Sequence, residues 1–369
     1  MAHRGMGTRQ RPSRPAAIRM TRLLLGFGIG ALGGAVFAVL HLPLPWLIGS
    51  LVAVAAARLS GVPAEASATA RNLLFGVVGI ALGLYFTPAT AALLLANLPV
   101  LVLAALATLG IGAALAPLLV RSGRVDMATA WFASIPGGAA DMAMLAASYG
   151  GKPAPVAVSQ LLRVCLVVIL TPNLMALSGL HGDHPPIATA LPFDPAGFAL
   201  LYLAGLAAAF GSVKLGLRAG WMLGPLAVSA VVTASGHTLS GVPWWLSAIA
   251  QVALGAQLGA AFDRPMLKRL RRFLPAALVQ VVLLMLGCGL VGLALAAATG
   301  KPLGAVLLGT APGGVAEMSL TAKALGLEVA LVVTLHVTRI FLVALLTPPV
   351  FRLLHRRGSA ARAVPAAGD

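Results

Sequence analysis

The chain has 369 residues, of which 59% are hydrophobic and only 9% charged, and its mean hydropathy is +0.97. Soluble globular domains carry roughly 25% charged residues, so this composition excludes a water-covered fold and points to a protein that crosses a membrane many times. The formal charge of +17 does not indicate nucleic acid, because Lys and Arg stand in short clusters between apolar runs and no DNA- or RNA-binding motif accompanies them.

The basic stretch MAHRGMGTRQRPSRPAAIRMTR runs directly into an apolar segment, and a second apolar segment follows at once. Residues 1–19 therefore read as a basic cytoplasmic tail and not as a cleavable signal peptide. Hydropathy then predicts ten spans, at 20–40, 44–60, 69–86, 95–120, 154–179, 197–213, 219–237, 245–262, 273–299 and 327–351. Two further apolar pieces, 125–149 and 302–325, carry SIPGGAADMAM and TAPGGVAEMSL. Proline removes an N–H donor and glycine admits backbone angles closed to other residues, so each piece predicts a broken helix.

Charge decides whether these pieces cross or turn back. If both are re-entrant, one side holds the N-terminal tail, Arg58, Arg71, Arg121, Arg124, Lys152, Lys214, Arg218, the cluster RPMLKRLRR (264–272), Arg352, Arg356, Arg357 and Arg362. The connection LHGDHPPIATALPFDPAG, which has no Lys or Arg, then lies on the other side with Lys301 and Lys323. Were both to cross, RPMLKRLRR would be external. The positive-inside rule therefore favours two re-entrant pieces and cytoplasmic termini.

Laying Pro136-Gly137-Gly138 on Pro312-Gly313-Gly314 reveals a repeat at one constant offset. Asp141 meets Glu317, Met142 meets Met318, Gln160 meets His336, Arg163 meets Arg339, and Thr171-Pro172 meets Thr347-Pro348. Upstream, Gly79, Gly83 and Phe86 fall on Gly255, Gly259 and Phe262. The repeats cover 20–180 and 197–354, separated by an external connection at 181–196 and followed by a cytoplasmic tail at 355–369. Each holds an odd number of spans, so they enter the membrane in opposite directions. The expected fold is an all-α polytopic membrane protein with about ten transmembrane helices plus two re-entrant helical hairpins in two inverted-topology repeats. Secondary transporters of this plan bind substrate near the bilayer midplane.

Hairpin arms of about ten to twelve residues reach roughly half of a hydrocarbon core of about 30 Å, so the two tips are expected to meet. The candidate substrate- or ion-binding set is Pro136, Gly137, Gly138, Asp141, Gln160 and Arg163 with Pro312, Gly313, Gly314, Glu317, His336 and Arg339. Asp141 and Glu317, in the first turn of the second arms, either cap those helices or bind a coupling proton, a cation or a cationic substrate. Arg163 and Arg339 either form ion pairs with Asp141 and Glu317 that fix the hairpins, or take an anionic substrate group. Gln160 and His336 share a helix face with these arginines. Cys165 and Cys288 read as buried thiols, and HGDH (181–184) lacks a third metal ligand nearby. No catalytic residue, metal or cofactor is expected. The expected partners are the lipid bilayer and a small-molecule or ion substrate, with no nucleic acid; a homo-oligomer is compatible with the sequence.

The paired PGG-x-A-[D/E]-M element, the LPWLIG after the first span and the Arg in the last span of each half resemble the AbrB family. These are duplicated bacterial membrane proteins, unrelated to the small soluble DNA-binding regulator of the same name. The resemblance covers almost the whole chain and implies a multi-pass protein of the bacterial inner membrane. Family members are labelled as regulators of gene expression and as ammonia monooxygenases. The expected function is ion-coupled secondary transport of a small solute. The alternatives are a membrane-embedded sensor or regulator that affects gene expression indirectly and a membrane oxygenase, against which the seven scattered histidines weigh. The halves differ: AGWMLGP stands for LPWLIGS, and Glu317 and His336 stand for Asp141 and Gln160, so two equivalent half-sites are not identical.

Overall fold

The computed structural model describes residues 16–182, 191–215 and 220–359, and the regular structure in them is helical. The tail up to residue 15, residues 183–190 of the Lys/Arg-free connection with His184, Arg218 and the tail from 360 that holds Arg362 lie outside the described residues.

The first half runs α1 Ala16–Val39, α2 Pro45–Leu59, α3 Ala68–Gly83, α4 Pro88–Ala96, α5 Leu98–Gly123, α6 Met127–Ser134, α7 Ala139–Ser148 and α8 Pro153–Leu177. The second runs α9 Pro195–Lys214, α10 Gly220–Ala234, α11 Trp244–Ala260, α12 Arg264–Arg269, α13 Leu274–Thr299, α14 Leu303–Thr310, α15 Val315–Ala324 and α16 Val329–Ser359. Many starts are local chemistry. Proline occupies the first turn of α2, α4, α8 and α9, where its missing N–H has no intrahelical partner to lose. Ser67 Oγ accepts from the Ala70 amide at 3.1 Å, and Asp194 Oδ2 from the Gly197 amide at 2.7 Å.

This is an all-helical polytopic membrane protein. Among the described residues, six helices, α1, α5, α8, α9, α13 and α16, are long and apolar enough to cross a bilayer, and α3 with α4, bent by 88°, adds a seventh if the pair is one span. The other predicted spans are also helical but shorter: α2 and α10 have 15 residues, α3 has 16 and α11 has 17. At about 1.5 Å per residue they measure roughly 22–26 Å, less than the hydrocarbon core. Their packing explains the difference. α2 lies against α11 and α3 against α10, and every residue of α3 from Gly76 to Gly83 is buried. A helix enclosed by protein has its ends covered by protein and need not match the lipid.

Close backbone approach makes this centre. A Cβ on Gly79 would collide with the Met222 carbonyl, and one on Gly255 with the Leu47 carbonyl. Ser229 Oγ donates to the Ile80 carbonyl at 3.0 Å and Ser50 Oγ to the Val252 carbonyl at 2.9 Å, so each half is strapped to the other.

The packing pattern repeats. α1 packs on α2 as α9 packs on α10, α5 on α6 as α13 on α14, and α7 on α8 as α15 on α16; α8 meets α13 as α16 meets α5. The match is incomplete around the broken helices. α15 also touches α3 and α8, and Leu308, Val315, Ala316 and Met318 belong to the main core. The α6–α7 pair sits instead in a separate apolar cluster with Phe273, the N-cap of α13, Ala277 of α13 and Phe351 of α16. There the Phe351 ring lies 5.4 Å from Phe132 and 5.3 Å from Tyr149.

The first arms of both broken helices, α6 and α14, have 8 residues and are shorter than the ten to twelve expected, whereas the second arms, α7 and α15, have 10 and fall within that range. A residue before proline is driven out of the helical region, and Ile135 (ψ 127°) and Ala311 (ψ 140°) are extended accordingly.

Candidate functional site

The α6–α7 hairpin is tied at its base. Asp126 caps α6 by accepting from the Thr129 amide and hydroxyl, both at 2.7 Å, and Thr129 Oγ1 accepts from the Lys152 amide at 2.7 Å. Proline and the two glycines leave the tip without helical hydrogen bonds, so its buried carbonyls need other donors. Helix α8 supplies them. Gln160 is fully buried; its Nε2 donates to the Phe132 carbonyl at 2.9 Å and the Ile135 carbonyl at 2.8 Å, and its Oε1 accepts from the Gly137 amide at 3.4 Å. Arg163 Nη2 donates to the Gly137 carbonyl at 3.0 Å.

The α14–α15 tip is held in the equivalent way by α16. His336 Nε2 lies 3.0 Å from the Leu308 carbonyl. A carbonyl only accepts, so Nε2 carries the proton and the buried Nδ1, which has no hydrogen-bond partner, is an acceptor. Arg339 Nη1 donates to the Ala311 carbonyl at 2.7 Å and Nη2 to the Gly313 carbonyl. At the repeat offset Phe132 corresponds to Leu308, Ile135 to Ala311 and Gly137 to Gly313. The two clasps thus engage the same three carbonyls with different divisions of labour. In the first half Gln160 holds two of them and Arg163 one; in the second His336 holds one and Arg339 two.

Asp141 and Glu317 lie in the first turns of α7 and α15, whose N-caps are Gly138 and Gly314. A Cβ on Gly138 would meet Asp141 Oδ2 at 2.8 Å, and one on Gly314 would strike the Glu317 carboxylate. Both acids therefore fold back over their own helix starts, as an acid at the third helical position does in a capping box. Their surroundings differ: Glu317 is buried, whereas Asp141 is half-buried and the backbone from Gly138 to Ala140 is exposed.

Arg163 stands ten residues into α8, about 15 Å along its axis, close to half of the hydrocarbon thickness. Arg339 occupies the same position in α16. Both are buried, at 5% and 4% exposure. Arg163 of the first half is within electrostatic range of Glu317 and Arg339 of the second. Of the two alternatives for Arg339, an ion pair with Glu317 inside one half is not the observed arrangement: its guanidinium is turned onto the tip carbonyls, and it is Arg163 whose charge reaches Glu317. The physical reason is the demand of the unwound carbonyls, which outnumber the donors His336 can offer.

Two features carried no motif in the sequence. Cys288 of α13, a free buried thiol like Cys165, lies within electrostatic range of both arginines. Gln280, 1% exposed, has neither amide atom hydrogen-bonded. The packing of α13 against α8 and α14 brings that helix near the hairpin clasps.

Fold and site together define a class: a polytopic membrane protein with a duplicated helix-packing pattern, in which two Pro-Gly-Gly breaks are clasped by buried polar groups of the helices that follow them. Residues 46–355 match the model of the family described as transition state regulatory protein AbrB, and the chain belongs to that family. It is similar to "Uncharacterized protein YhjN" of Bacillus subtilis (strain 168), 29% identical over 355 residues, covering 89% of this chain and 91% of that protein. It is also similar to "Putative regulator AbrB" of Escherichia coli (strain K12), 28% identical over 323 residues, covering 86% and 92%.

Proposed function

We propose that this protein is a secondary transporter of a small solute, ion-coupled, with its binding site between the two Pro-Gly-Gly tips. In this reading the ten predicted spans all cross, and α6–α7 and α14–α15 are re-entrant hairpins of two inverted repeats, 20–180 and 197–354. Both termini are cytoplasmic, in a bacterial inner membrane. The observation that carries it is the meeting of buried charges from both halves, Arg163 from one and Glu317 and Arg339 from the other, beside two unwound tips. Intramembrane charges cost several kcal/mol and gather where a pathway needs them. Inverted repeats place substrate at the repeat interface, next to half-helix ends. Glu317, a buried carboxylate over a helix N-terminus, is the group assigned to the coupling proton or cation.

Purified protein in proteoliposomes is expected to move a labelled solute, from a panel of small organic ions and neutral solutes, with a proton or sodium gradient. Flux indifferent to Asp141→Asn, Glu317→Gln, Arg163→Ala and Arg339→Ala would remove the site. Side-specific labelling should find residues 150–152 and 264–272 on one face, and opposite faces would remove the inverted repeat. The regulatory wording in the family description also fits occupancy of this site being sensed, and absence of flux with every solute bound would favour that reading.

A further inference from the structure

We propose that Arg163 is the ligand for the carboxylate of a monoanionic solute, whereas its pseudo-equivalent Arg339 is a scaffold residue; this assignment rests on the transport-site reading above. Both arginines are buried at matching positions on matching helices, but their donors are differently committed. Arg339 gives Nη1 and Nη2 to the Ala311 and Gly313 carbonyls. Arg163 gives one Nη2 donor to Gly137, and its Nε and Nη1, with three of the five N–H groups of a guanidinium, have no hydrogen-bond partner although the residue is only 5% exposed.

The cause is the one substitution between the clasps. Gln160 has an amide that reaches both the Phe132 and Ile135 carbonyls, so the first arginine is relieved of the second carbonyl. His336 offers a single ring N–H, spent on Leu308, and Arg339 must serve Ala311. Gln at 160 therefore releases the donors that His at 336 ties down.

What the released donors suit follows from charge and shape. A buried guanidinium with unmet donors is costly unless an acceptor arrives, and a planar fork matches a carboxylate. Among the described residues, the buried charged side chains are two guanidinium groups and one carboxylate, that of Glu317, so one added negative charge completes the balance. The Gly137–Gly138 tip that Arg163 holds is partly exposed, whereas Pro312 and Gly313 of the other tip are buried, so the route to Arg163 runs over the first tip.

The test is ligand-induced thermal stabilisation of the detergent-purified full chain by sodium salts of acetate, lactate and benzoate, against succinate, sulfate and ammonium chloride. At least one monocarboxylate should stabilise the wild type, and its apparent affinity should fall roughly tenfold or more in Arg163→Lys, which keeps the charge but loses the fork. Gln160→His should weaken the same ligand without touching Arg163, because it hands the Ile135 carbonyl back to the arginine. If one variant does not run as a monodisperse species, the other decides. No stabilisation by any monocarboxylate, or stabilisation undiminished in the folded variants, overturns the assignment. Flux separates the two readings: a monocarboxylate that binds through Arg163 but is never moved removes transport alone, and flux of a solute without a carboxylate, unchanged in Arg163→Lys, removes the assignment alone.

Discussion

Gln160→Leu is the most diagnostic change in the hairpin clasp. Leucine is close to glutamine in volume and keeps the apolar contacts, so the perturbation is the loss of polar atoms. The two shortest bonds of Gln160, at 2.8 and 2.9 Å, satisfy the carbonyls of Ile135 and Phe132; the unpaired Nη1 of Arg163 can take over Ile135, as Arg339 serves Ala311, which leaves the Phe132 carbonyl without a donor. A stranded buried acceptor costs about 1–3 kcal/mol. With the Phe132 carbonyl alone stranded, the expectation is about 1–3 kcal/mol. The effect should be local, because the first hairpin packs in its own cluster apart from the main core. Hydrogen exchange in lipid nanodiscs should show amides of 139–148 losing roughly 5- to 150-fold of protection, at about 1.4 kcal/mol per tenfold. Protection across α14–α15 should be unchanged. A loss under about threefold in α7, or an equal loss in both hairpins, would refute the idea that Gln160 is the fastening of the first tip.

Arg339→Gln should cost more global stability than Arg163→Gln, by about 2 kcal/mol or more, because it strands two buried carbonyls in the main core and not one at an exposed tip; thermal unfolding in detergent checks the order. Gly79→Leu should abolish the monodisperse species in size-exclusion chromatography, since it forces α3 off the Met222 carbonyl, whereas Gly211→Ala, with nothing within 4 Å of the new Cβ, should behave as wild type. Phe351→Ala should destabilise by about 3–5 kcal/mol and raise protease sensitivity within the first hairpin, because that ring closes the Phe132–Tyr149 cluster from the far end of the chain.

Much of this protein was legible in its residues because the signals were local or periodic. Hydropathy placed every predicted span on a helix, since the need to satisfy backbone groups in lipid leaves little else for a long apolar run. Proline before two glycines marked both breaks, and the constant offset paired Gln160 with His336 and Arg163 with Arg339 before any contact was visible. The tertiary structure decided the rest. It shortened α2, α3, α10 and α11 by enclosing them, and it turned Arg339 onto the carbonyls of its own hairpin instead of Glu317. It also seated one hairpin in the main core and the other outside it. A sequence states which donors and acceptors exist; which of them meet depends on how many unwound carbonyls each fold position leaves open, and that number is set by the packing of residues far apart in the chain.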